Sequence, residues 1–317
     1  MTGSLPRRHH IVPRFYLEGF AEQGHLGVAM LPGDKRFTQS TRTAATINDF
    51  YLLGSALHPR AGNFEAMLSD FESEASAVFR TLANGTWPLS AQDRAVLGVF
   101  IAVQFLRGPE HRQQMTDIRR QMIRLQFQIA GRDRFVKTVA ERLQADLSDD
   151  EVEELWQLTV RPGGPPIAVR PDQHANELVD LLPKLLKYFL GRPWALVSFE
   201  RKHLITSDAP VTLVPRRDAQ DEEGVGLMTA AAILFPISRS QGLVMADPMP
   251  ISRTVTVEEV SAGVADLRLP ASAAHARSFN SAAVINARRA VFHHPADAAL
   301  VPDRLPEPAS QEAAAPA

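Results

Sequence analysis

Along the first half of the chain apolar residues recur at the 3.6-residue period of a helix, whereas in the second half they gather in short runs broken by Pro, Gly and Asp. From Asn63, a plausible N-cap, the residues Phe64, Met67, Leu68, Phe71, Ala75, Val78, Phe79 and Leu82 fall on one helical face until Asn84-Gly85 ends the pattern. Ser90 and Asp93 resemble a capping box ahead of Val96 to Leu106, a stretch apolar almost all round that should lie at the centre of the core. Gly108-Pro109 interrupts it. Further helices are predicted over about 110–129, 135–143, 149–158 behind a Ser148 cap, and 172–190 with a kink at Pro183.

β-compatible runs precede these helices at His25 to Leu31 and Asp49 to Leu53. The Pro- and Gly-rich run Arg161 to Pro166 reads as a loop. After Gly191 the period changes, and Trp194 to Phe199, His203 to Ile205, Val211 to Val214, Ala230 to Phe235 and Gly242 to Ala246 read as strands of an antiparallel sheet. A helix over about 271–289 and a strand at Ala290 to His293 complete the pattern. The expected fold is α+β, a helix-rich N-terminal half (about 63–190) packed with an antiparallel β-sheet from the C-terminal half (about 191–294). One domain is expected over 1–300, with a Pro- and Ala-rich, disordered tail over 301–317.

The chain has 317 residues, 45% hydrophobic and 22% charged, so it can bury a sizeable core. It contains no cysteine, which removes disulfides, thiolate zinc sites and cysteine nucleophiles and suits a cytoplasmic protein. The opening residues lack the apolar core of a secretion signal, and the most apolar stretch, Val96 to Leu106, is too short to span a membrane. A net charge of −2 gives no global attraction to nucleic acid. Basic residues do cluster locally. Arg7, Arg8 and Arg14 flank His9 and His10, and Arg107 to Arg142 carries nine Arg and Lys against four acidic residues, although the acidic run Asp146 to Glu154 follows at once.

The segment His9 to Ala21 reads HHIVPRFYLEGFA and resembles the opening HHxxPRFYLxxF signature of the bacterial domain-of-unknown-function 4238 family. Asn48 to Tyr51, the helix holding Glu65 and Glu72, Gln104 to Arg107, Trp194, Leu204 to Val211, Phe235 to Ser238 and Asn280 to Val291 resemble that family's pattern in the same order, up to about residue 294. Ala209 departs from it, standing where many relatives carry an asparagine. The resemblance implies no activity, because the family is named for lacking an established one.

Candidate chemistry lies at the centres of these segments. His9 and His10 before Ile-Val-Pro resemble the first half of a His-Me-finger nuclease signature, whose second half is missing here. Glu65 and Glu72, seven residues apart, share a helical face and lie roughly 10 Å apart along the axis. Gln104 and Arg107 point the same way from the most apolar helix and must find partners. If that helix folds back on the preceding one, Arg107 comes within reach of Glu65 or Glu72. Asp208 sits in the turn Thr206 to Pro210, either as an Asx-type turn residue or as a metal-binding carboxylate at a strand end. No GxSxG elbow, P-loop or dinucleotide-binding GxGxxG is present.

Two functions follow. The first is a metal-dependent hydrolase of phosphodiesters, with His10 as base or ligand, His9, Glu65, Glu72 and Asp208 as ligand candidates for a divalent metal ion, and Arg14 or Arg107 stabilising the anion. The alternative is a non-enzymatic module binding nucleic acid, a nucleotide, another anionic ligand or a protein through the basic helices, with the motif residues serving a structural network.

Overall fold

The computed structural model describes residues 8–48, 60–106, 109–144, 147–167, 171–216 and 225–308. The chain opens with strand β1 (Arg8–His10) and the short helix α1 (Arg14–Glu18), then β2 (His25–Met30), β3 (Lys35–Ser40) and β4 (Thr46–Asn48). Six helices follow: α2 (Arg60–Ala83), α3 (Ala91–Leu106), α4 (Pro109–Ala130), α5 (Arg132–Leu143), α6 (Asp149–Val160) and α7 (Pro171–Leu190). Next come β5 (Trp194–Ser198), β6 (Thr206–Ser207), β7 (Thr212–Val214), β8 (Ala232–Ser238) and β9 (Gln241–Ala246). Last are α8 (Val257–Ser261), β10 (Leu267–Leu269), α9 (Ala273–Asn286), β11 (Ala290–His293) and a 3-10 segment over Pro295–Leu300. The architecture is α+β, with helices concentrated in the N-terminal half.

Helix α3 is the centre of the helical layer, as its all-round apolar pattern predicts: Leu97, Phe100, Ile101, Ala102 and Leu106 are fully buried. Ser90 caps it by accepting a hydrogen bond from the Asp93 amide at 3.1 Å. Gly98 lets α7 approach closely, since a Cβ there would stand 2.4 Å from the Leu190 side chain. Pro183 lies inside the single helix α7. Helices α4, α5 and α6 pack on one another through Phe127, Phe135 and Trp156, whose rings stand edge to face at 5.1 and 5.4 Å. Arg132 on α5 meets Glu153 on α6 at 3.1 Å, so the acidic run answers part of the basic one.

Two larger sheets carry the rest. A five-stranded sheet has the order β10-β5-β9-β8-β7, antiparallel except for the parallel edge pair β10 and β5. A four-stranded antiparallel sheet has the order β3-β2-β11-β6 and joins the first strands of the chain to the last. β1 and β4 form a separate two-stranded pair.

His203 to Ile205, expected as a strand, is instead an extended loop. The amide of Leu204 donates to the Arg239 carbonyl and that of Ile205 to the Asn280 side chain, so neither enters a ladder. The strand begins one residue later, at Thr206. The expected strand Asp49 to Leu53 lies outside the described residues. Packing continues past Pro302, where composition suggested a loose tail: Val301 and Leu305 are buried among Ala29, Leu31, Ile205 and Ala287, and the Leu305 amide donates to the Pro32 carbonyl at 2.9 Å.

Candidate functional site

The aromatic residues of the opening motif face inward because α1 lays Tyr16 and Leu17 against the helical layer, with Phe20 following. Phe15 stands 5.4 Å from both Phe79 on α2 and Phe100 on α3, and Tyr16 5.3 Å from Phe235 on β8. The Tyr16 hydroxyl donates to the Pro236 carbonyl at 2.7 Å, which leaves it to accept from the Thr206 hydroxyl, also at 2.7 Å. Burial pushes this phenol far above its ordinary range, although the Thr206 bond acts the other way. Three segments separated in sequence, those of Tyr16, Thr206 and Pro236, thus meet at one buried hydroxyl.

The polar candidates are distributed less evenly. His10 sits on β1 opposite Thr46, with its Nε2 atom buried. Arg14 lies on the surface, about half exposed, in an ion pair with Glu18 one turn on at 2.9 Å. Glu72 is half-buried on α2. His9 belongs to β1 and Glu65 to α2, but their side chains, and Arg107 entirely, lie outside the described residues, as does the expected pairing of Arg107 with Glu65 or Glu72.

Gln104 is the residue that stands out. It is 3% exposed, and among the described residues neither its carbonyl oxygen nor its amide nitrogen has a hydrogen-bond partner. Residues four apart share a helical face, so Gln104 lies one turn beyond Phe100 on the face that meets Phe15 and Phe79. Since α2 and α3 fold back on each other through a short turn, Gln104 and Glu72 lie in the same direction from the Phe79–Phe100 contact. At 1.5 Å per residue they are about 6 Å and about 10 Å along their helices from it.

Asp208 is held elsewhere. Its Oδ1 accepts from the amides of Arg288 at 2.9 Å and Ala290 at 3.5 Å, while the Asp208 amide donates to the Ala290 carbonyl. Its Oδ2 is buried with no hydrogen-bond partner among the described residues, and burial raises the carboxyl above the usual range against the pull of those backbone donors. Asn286 secures the same turn by donating to the carbonyls of Ala209 and Val211.

A second polar cluster was not singled out by the sequence. His203 Nδ1 is 2.9 Å from Asp297 Oδ1, and Arg239 grips both oxygens of Asp297, Nε to Oδ2 at 2.6 Å and Nη2 to Oδ1 at 3.0 Å. Burial opposes the charge on Asp297, but the bonds from Arg239 and His203 outweigh it and hold the carboxyl below its ordinary range. These residues come from the loop before β6, the β8–β9 hairpin and the 3-10 segment. The only local hint is that His203 and Arg239 each directly flank a family-like segment, Leu204 to Val211 and Phe235 to Ser238.

Among the described residues no group of three or more His, Asp or Glu is placed to hold a metal ion, and no helix is long and apolar enough to cross a membrane. A family model described as "Protein of unknown function (DUF4238)" matches residues 8–297. No curated protein and no solved structure matches the chain significantly.

Proposed function

The chain belongs to the DUF4238 family, and on that premise we propose that it is a metal-dependent hydrolase of phosphodiesters, working at the end of the α2–α3 hairpin. The observation that carries this reading is the Gln104 side chain. A carboxamide buried without partners costs roughly 1–3 kcal/mol by mutational measures unless something hydrogen-bonds to it. A polar ligand entering beside it would meet that need. Glu72 lies toward the same end of the hairpin, and His10 belongs to the motif whose Phe15 packs against Phe100, one turn from Gln104.

In this reading His10 and Glu72, with Glu65 from the same helix, would hold the cation, which leaves His9 free of it. A bound divalent ion would supply an acidified water and positive charge for a phosphoryl oxygen. Gln104 orients the substrate through its donor and acceptor, and a histidine not used as ligand takes the proton from water. Asp208 and Arg14 are assigned to the fold, since their partners are backbone amides and Glu18. Binding through the basic helices draws less support, because Arg132 and Arg120 already meet Glu153 and Asp117.

The test is thermal unfolding with and without Mn2+ or Mg2+, paired with hydrolysis of a chromogenic phosphodiester. Metal at a hundred times its Kd should stabilise the protein by about 2.7 kcal/mol. His10→Ala should lose both that stabilisation and turnover, whereas Gln104→Leu should lose turnover and keep the metal response. A wild-type protein that neither gains stability with metal nor cleaves the diester would end this proposal.

A further inference from the structure

We propose that His203, Arg239 and Asp297 form a proton-linked binding site for a tetrahedral oxyanion of the phosphate-ester class, separate from the hairpin end. The geometry begins with Asp297, which is 7% exposed and accepts from Arg239 twice and from His203 once. A carboxylate can only accept, so His203 Nδ1 carries the hydrogen in that bond. Arg239 Nη2, 3.1 Å from the same Nδ1, therefore directs its hydrogen to Asp297 Oδ1 and not to the imidazole. These bonds leave two positions for a ligand: His203 Nε2, and Nη1 of Arg239, which donates to no protein group among the described residues. The two side chains are 33% and 29% exposed.

The donors are also held in place beforehand. Asn280 donates to the His203 carbonyl at 3.1 Å, the Leu204 amide donates to the Arg239 carbonyl at 2.8 Å, and the Arg239 amide donates to the Gly19 carbonyl at 2.9 Å. Donors fixed before the ligand arrives lose little freedom on binding it.

The charge balance makes the site depend on protons. Asp297 and Arg239 cancel, so a neutral His203 leaves the cluster uncharged, with a lone pair outward at Nε2. Protonation turns Nε2 into a donor and leaves one positive charge for an anion to neutralise. Other groups modulate this field. Glu22 acts on Arg239 with opposite charge, and Asp297 also acts on His293 of β11, whose other charged neighbours are Arg36 and His294. Burial lowers the His293 imidazole. An anion that prefers the imidazolium must, by linkage, raise the pH at which His203 loses its proton.

Sulfate is the suitable probe, because it is a tetrahedral dianion that does not itself titrate near neutrality. The pH titration of the His203 ring Cε1 proton, assigned with His203→Gln, would be followed by NMR on the full chain in sulfate and in chloride of equal ionic strength. Saturating sulfate should move the His203 midpoint up by about one unit, which corresponds to a tenfold preference for the protonated ring. Binding, followed by calorimetry, should weaken about tenfold from pH 5.5 to pH 8 and lose its pH dependence in His203→Gln. Arg239→Gln should abolish the sulfate response. An unchanged wild-type midpoint, an equal shift in chloride, or a response that survives in Arg239→Gln would each overturn the proposal. The wild-type titration alone decides it if a variant fails to fold.

Discussion

Asp208 shows how a single buried carboxyl can make stability depend on pH. Burial raises its pKa in the folded protein above the unfolded value of about 3.9, so the native state holds that proton at pH values where the unfolded chain releases it. The resulting stabilisation is complete below the unfolded pKa and is lost as pH rises through the folded one. Asp208→Asn keeps an acceptor for the Arg288 amide but carries no charge. Its stability relative to wild type should therefore rise from pH 4 to pH 8, as read by urea unfolding at each pH. A constant difference would mean that folding does not raise the Asp208 pKa. Tyr16 offers a simpler case. Tyr16→Phe removes the hydroxyl that joins Thr206 to Pro236 and should cost about 1–2 kcal/mol with the aromatic packing intact. The sequence marked Thr206 to Pro210 as a turn with Asp208 as a candidate Asx residue, whereas Thr206–Ser207 form β6, the chain bends at Asp208 and Ala209, and the Asp208 side chain bonds far along the chain. What it did not reveal is that the donors to Asp208 come from residues 80 and more positions away, because turn chemistry describes only neighbours.

Helix α3 makes the same point for whole elements. Its apolar body is legible from periodicity alone, since a helix without a polar face has nowhere to go but the core. Arg94, one turn into the helix and just before that body, is nevertheless 0% exposed. Its guanidinium forms a fork with Asp266 at 2.7 and 3.1 Å, donates to the carbonyls of Leu190, Arg192 and Ser261, and lies 4.1 Å over the Trp194 ring. One side chain thereby ties α3 to the end of α7, to α8 and to β5. Arg94→Met should cost about 3–5 kcal/mol because it strands Asp266 in the core, and adding Asp266→Leu should recover part of that loss. Denaturant midpoints of the two single variants and the double variant would check this. An Arg94→Met loss under about 1 kcal/mol would contradict it. No periodic pattern could have shown these partners, which lie 96 to 172 residues ahead. His203, Arg239 and Asp297 were hidden for the same reason, and Gln104 was visible because a lone amide inside an apolar helix violates the pattern around it.

The molecule as a whole is closed by the four-stranded sheet, in which β2 pairs with β11 and the chain then continues over β2 to seat Val301 and Leu305. Ending the chain after Leu300 should therefore destabilise it by more than about 2 kcal/mol, the scale expected for removing one large core side chain. A thermal melt indistinguishable from the full-length protein would refute this. The same sheet governs the timing of biosynthesis. Met30 leaves the ribosome 260 residues before its partner Ala290. At about 5–20 residues per second, the apolar face of β2 waits roughly 13 to 52 seconds before β11 can exist to cover it. During that interval β2 and β3 form a hairpin with one strand edge open, a template for intermolecular pairing. The nascent chain therefore has its greatest need of chaperone cover before β11 is made, and slowing translation there would favour aggregation.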